Sequence, residues 1–148
     1  MKLEILVSNF REAIEIAKAN KERGELFREF PVGQCGHTSD ILAQYLIDNR
    51  IGPVIYVNGT YYGDDWDRWS HTWLVVEGLV IDITGDQFKY HKEPLTYNVP
   101  IYIGPMIEYY QLFEVGPGGR HEHFGFEMEW SNYHELKDWY ETILRYLI

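Results

Sequence analysis

This sequence has one cysteine, few basic residues and no long apolar run. Cys35 is the single thiol among 148 residues, so no internal disulfide can staple the fold, and an unpaired thiol suits a reducing compartment. Lys and Arg number 13 against 23 Asp and Glu, a net charge of −10. That field repels phosphate backbones and anionic lipid, which excludes nucleic acid and membrane surfaces as expected partners. No segment approaches the roughly 18 apolar residues that cross a bilayer. The opening Met1-Lys2-Leu3-Glu4 lacks the cationic and apolar regions of a secretory signal, and the expected location is cytoplasmic. Aromatic residues, by contrast, are abundant. The 5 Trp, 12 Tyr and 7 Phe supply apolar area for one core, and residues 1–148 are expected to form one domain.

Helical signals come first along the chain. Asn9 and Glu12 form a capping box for a helix running to about Lys21, with Phe10, Ala13, Ile14 and Ala17 on one side and Gly24 as its stop. Ile41, Leu42, Tyr45 and Leu46 mark a second helix that ends before Gly52-Pro53. Its start is open: either Cys35 begins it, or Thr38 or Ser39 caps it. In each case the thiol lies within a turn of the positive helix end. Strand texture follows over 54–57, 71–77, 79–84, 100–103 and 110–115, then a last helix over 133–146. The long connections 58–70 and 116–124 are expected as lids or surface loops. The pattern predicts an α+β fold, helices packed on an antiparallel sheet.

Glu77-Gly78 reads as a two-residue hairpin turn, which pairs Val76 with Leu79, Leu74 with Ile81 and Trp73 with Asp82. His71 then shares a face with Trp73 and lies diagonal to Asp82, close enough for an imidazole to bond a carboxylate. Thr72, Leu74, Val76, Leu79, Ile81 and Ile83 make the opposite face nearly all apolar. A turn one residue longer would put Asp82 on the wrong side. With the second helix laid across the polar face, pressing Leu42, Tyr45 and Leu46 onto the sheet, Cys35 points towards His71. The roles implied are Cys35 as nucleophile, His71 as general base and later acid, and Asp82 as the group fixing the imidazole tautomer. The Cys35 N–H at a helix start is one oxyanion donor and the Gln34 side chain a second. Trp73, beside His71, and Trp69, just ahead of it, are the candidate substrate contacts.

Several stretches together resemble one family. Gly33-x-Cys35 precedes a helix ending at Ile51-Gly52, the strand Val54-Ile55-Tyr56-Val57-Asn58-Gly59 follows, and then come His71-Thr72-Trp73-Leu74 and Ile81-Asp82-Ile83-Thr84. This order is similar to the transglutaminase-like core of the papain-like superfamily, in which a Cys opens a helix, a His-x-Trp strand follows and an Asp-x-Thr strand completes the triad. The resemblance covers about a third of the chain, residues 33–84. It implies amide hydrolysis or acyl transfer through a thioester, on a peptide, protein or small amide substrate, with Cys35, His71 and Asp82 as the triad. No metal or organic cofactor is implied. His71 and Asp82 stand closer in sequence than in larger members, which points to a tight hairpin and a reduced domain. No Trp precedes Cys35 to match the transition-state tryptophan of the crosslinking enzymes, so hydrolysis is expected over crosslinking.

Other features have plainer readings. Asp86 is an alternative carboxylate ranked below Asp82. Asp64, Asp65 and Asp67, in an aromatic-rich loop, lack the full spacing and the glycine of a calcium loop. His121-Glu122-His123 offers two imidazoles on a strand without a third ligand at a recognisable spacing, and His37 is close enough in sequence to perturb the thiol. The alternative from another class is a catalytically inactive fold that binds a protein or ligand through the aromatic acidic loop.

Overall fold

Helix α1 (Lys2–Ala19) begins well before Asn9. The expected Asn9 cap is thereby corrected. Val7 joins Phe10, Ala13, Ile14 and Ala17 on one buried stripe, so the apolar period runs upstream of Asn9 and outweighs a capping preference worth about 1 kcal/mol. A short α2 (Glu25–Glu29) follows Gly24, and α3 (Cys35–Asp48) starts at Cys35 itself. The computed structural model describes residues 2–64 and 66–147, and Asp65 of the acidic loop lies outside them.

Strands β1 (Val54–Tyr62), β2 (Arg68–Val76), β3 (Leu79–Asp82), β4 (Tyr102–Gly104) and β5 (Arg120–His123) form one antiparallel sheet in the order β4-β3-β2-β1-β5. With α4 (Glu108–Gln111), α5 (Tyr133–Leu144) and a 3-10 turn at Gly85–Phe88, the architecture is α+β. Much of the expected loop 58–70 is strand, because alternating polar and aromatic residues extend the β1–β2 ladder from Gly59↔His71 out to Tyr62↔Arg68. Residues 120–123 of the other expected loop pair with β1. The segment 110–115 is corrected from strand to a helical turn at its start, with only Glu114 bridging to Thr60. Tyr110 and Phe113 are both buried in one aromatic cluster, a spacing that a helical turn brings to one side. No helix among the described residues is long and apolar enough to cross a membrane.

The hairpin register pairs Val76 with Leu79 and Leu74 with Ile81. Glu77 (φ 52°) and Gly78 (φ 78°) are both left-handed, the backbone of a tight two-residue turn matched to strand twist. Alternation then splits the sheet into two faces. Leu74, Val76 and Ile81 pack with the apolar residues of α1, α3 and α5, whereas Trp73, Val75 and Val80 pack with Phe88, Leu95, Tyr110 and Phe113. This corrects the expected placement of α3. Ile41, Leu42 and Leu46 lie on the apolar Leu74 face rather than the His71 face, since a helix carrying so much apolar area buries it where the sheet is apolar too. Cys35, the first residue of α3, comes up to His71.

Candidate active site

At the head of α3, Gln34 is the N-cap residue and makes no side-chain cap hydrogen bond. The first-turn N–H groups of a helix lack intrahelical acceptors, and the macrodipole favours negative charge there. Cys35 is the first residue of the helix, its side chain nearly closed off at 9% exposure. β2 brings His71 to the same place. The imidazole is fully buried, with ring contacts to Trp73, Phe88, Tyr110 and Phe113. Gly59, opposite His71 in the β1–β2 ladder, makes that packing possible: a Cβ there would stand 2.8 Å from the Phe113 Cβ and 3.0 Å from its carbonyl oxygen.

Asp82, at the end of β3, is the hub of the polar network. His71 Nε2 donates to its Oδ2 at 2.8 Å, and the Tyr110 hydroxyl donates to the same oxygen at 2.8 Å. The other oxygen accepts from the Thr84 N–H at 3.0 Å and from the Thr84 hydroxyl at 3.3 Å. Four donors around one buried carboxylate fit the ionised form, an acceptor only. Burial alone would raise this carboxyl's pKa. The charge and hydrogen bond of His71, with Thr84 and Tyr110, outweigh burial and hold it below the usual range.

The same balance acts on the imidazole and the thiol. Burial would lower the His71 pKa, but Asp82 outweighs it and Cys35 adds to the effect, raising it to about 9. For Cys35, burial would raise the pKa. Hydrogen bonding and charge from His71, together with contacts to Thr72, outweigh it and bring the thiol below its ordinary value. Because Asp82 fixes the proton on Nε2, Nδ1 is the ring nitrogen left for the thiol. The arrangement can take a proton from sulfur and hold the resulting charge. Tyr56 stands beside the group; burial, then the charges of Asp40 and Cys35, push its phenol up to about 12 against a hydrogen bond from Thr72.

The other residues expected at the site divide. Trp69 lines a cleft of about 800 Å3 with Tyr61, Asp64, Asp67, Tyr90 and Gln87, and its indole N–H donates to Asp67. Trp73 lies beneath the site, 1% exposed, rather than on a surface a substrate touches. Gln34 is buried, with its amide donating to Glu25 at 3.1 Å and its carbonyl oxygen 2.9 Å from His37 Nδ1, so its amide is engaged away from the thiol. His37 is thereby tied to Gln34. Asp86 is held by Arg11 through two hydrogen bonds of 2.9 and 2.8 Å, which separates it from His71. A second cavity, of about 750 Å3 between the α1–α2 connection and α5, shares no residue with this network; the Trp69 cleft is not lined by Cys35, His71 or Asp82 either, but its wall residue Gln87 reaches His71.

His123 bonds Asp40 at 2.9 Å and accepts the Gly125 N–H, tying β5 to α3, while His121 stacks on Tyr56. Among the described residues no group of three or more His, Cys, Asp or Glu is placed to hold a metal ion. Sequence reasoning missed Tyr110, which it assigned to a strand, and Gln87, whose amide nitrogen lies 3.3 Å from His71 Nδ1. Gln87 stood next to the flagged Asp86, but nothing in its spacing pointed to the imidazole. Comparison with protein-family models, with characterised proteins and with solved structures finds no match to this chain.

Proposed function

We propose that the protein is a thiol-dependent amide hydrolase or acyl transferase built on a core similar to the transglutaminase-like branch of the papain-like superfamily. The observation that supports this reading is His71, anchored to the buried Asp82 through Nε2 at 2.8 Å, with its imidazole lowering the pKa of the Cys35 thiol at the head of α3. In the proposed reaction His71 takes the thiol proton on Nδ1, and the Cys35 sulfur bonds the carbonyl carbon of an amide. The carbonyl oxygen becomes an oxyanion facing the free N–H of Cys35 at the start of α3. As the C–N bond breaks, the departing nitrogen takes the proton from Nδ1 and leaves as ammonia or an amine. Water, giving its proton to His71, then attacks the thioester, and the C–S bond breaks to release a carboxylic acid and the thiolate. The Trp69 cleft is the approach for a peptide, protein or small amide.

Closure of the thiol favours a second reading, an inactive relative that binds a partner along the same aromatic cleft. Two measurements separate the readings. Cell extract supplied with an acyl-trapping amine should yield trapped products with the wild type and none with Cys35→Ala, read by mass spectrometry. Iodoacetamide should label Cys35 of the folded protein in a pH-dependent manner that His71→Ala slows. Labelling only on unfolding, with no trapped product, would replace the enzyme by the binding module.

A further inference from the structure

Thr72 lies between His71 and Trp73 on β2 and is 2% exposed. Its N–H has no strand to pair with. In an antiparallel ladder every second residue turns its N–H to the same neighbour, and the tight hairpin sets Val76 and Leu74 towards β3, against Leu79 and Ile81. Thr72 therefore turns the same way, towards Ile83. β3 has ended at Asp82, and the Ile83 carbonyl is taken by Arg11 Nη1 at 2.6 Å. The acceptor left for the Thr72 N–H is the Cys35 sulfur at the head of α3. β1 sets the hydroxyl. Asn58 is the residue opposite Thr72, and its side-chain NH2 donates to Thr72 Oγ1 at 2.7 Å. With that oxygen accepting, the hydroxyl gives its single proton to another group. Two acceptors border it, the Tyr56 phenol and the Cys35 sulfur, and an anionic sulfur draws a proton donor more strongly than a neutral phenol.

We propose that Thr72 is a second anchor of the Cys35 thiolate alongside His71, giving it a backbone and a hydroxyl donor, and that Asn58 is the positioning residue that aims the hydroxyl. The other polar groups around the sulfur have their own partners. His71 from β2 is held by Asp82 of β3, and Asp40 of α3 is bonded to His123 of β5. Tyr56 from β1, with its phenol pushed up to about 12, stays neutral near pH 7. Because the Thr72 donors belong to the strand and not to the imidazole, they remain on sulfur after Nδ1 has given up its proton. In the acyl-transfer reaction proposed above, on which this consequence rests, breaking the C–S bond leaves the electron pair on sulfur. Thr72 faces that returning charge.

The test reads the thiolate of the folded protein by its ultraviolet absorbance, without turnover, using Cys35→Ala as the blank. Thr72→Val, which keeps the shape and the N–H and removes the hydroxyl, should lower the thiolate-to-thiol ratio by about tenfold on the acid side of the titration, the equivalent of one hydrogen bond to a charged group. Thr72→Ser should restore it. Asn58→Leu should lower the ratio by less, and should change nothing further in a Thr72→Val background. The Thr72→Val effect should persist in His71→Gln, since the donor acts on sulfur directly. A wild-type ratio in Thr72→Val, an equal fall in Thr72→Ser, an effect that vanishes in His71→Gln, or an Asn58→Leu effect undiminished in Thr72→Val would overturn the proposal. A protein that meets these expectations yet releases ammonia or amine from no amide would remove the enzyme and leave the Thr72 anchor standing.

Discussion

Replacing Asp82 by Asn keeps the shape of the side chain and removes the charge on which four hydrogen bonds converge. The Asn oxygen can retain the two Thr84 bonds at the Oδ1 position. The NH2 then takes the place of Oδ2, where it faces two donors, His71 Nε2 and the Tyr110 hydroxyl. The imidazole has to move its proton to Nδ1, and the Tyr110 hydroxyl has to turn away. Removing one partner of a buried ion pair costs about 3–5 kcal/mol, a large part of a total stability of roughly 5–15 kcal/mol. For a domain of this size that corresponds to a fall in Tm of roughly 8–16 °C, measured by circular dichroism. In the proposed acyl-transfer reaction the altered tautomer should lower turnover by about four orders of magnitude. Labelling of Cys35 at pH 7 should slow as well, since the thiol loses its proton acceptor. An unchanged Tm together with an unchanged pH profile of labelling would refute the view that Asp82 is the ionised hub of the site.

Two further outcomes follow from the buried charges. Arg11→Met leaves Asp86 without its partner and the Ile83 and Pro100 carbonyls without their donor; urea unfolding should find a loss of about 3–5 kcal/mol, with most of it recovered in Arg11→Met/Asp86→Leu. In Cys35→Ala, the raised pKa of His71 contributes stability that is complete below about 6.5, the free imidazole value, and is lost as pH rises through the folded value, about 9 with both Asp82 and Cys35 present. The depressed Asp82 contributes stability that is complete above about 3.9 and lost on acidification. Urea midpoints should therefore peak between about pH 4 and 6.5 and decline towards pH 9, and adding His71→Gln should flatten the alkaline decline.

Local chemistry made some of this legible from residues alone. Glu77-Gly78 can adopt the left-handed pair that a tight hairpin needs, and that turn determines which residues share a face with His71. Tertiary choices were hidden. Which face of the sheet α3 covers depends on where the apolar area of α1 and α5 also goes, and no local window reports that. Tyr110 looked like strand because aromatic residues favour strands, yet its burial beside Phe113 selects a helical turn. Asp86 and Asp82 are equivalent in type and close in sequence. What distinguishes them is Arg11, far away in α1, which takes one and leaves the other to His71. Gln87 was unreadable for the same reason, because its three partners come from the segment before α3, from β2 and from its own turn.

The sheet stops on both sides at very short strands, β4 of three residues and β5 of four. An unpaired strand margin is a template on which another chain can grow. Here each margin offers only a few backbone groups, and the outer one carries the exposed Arg120, His121 and Glu122. Exposed aromatic rings, Trp66 and Tyr90 among them, lie outside these two strands, so the margins themselves add little ladder for another chain.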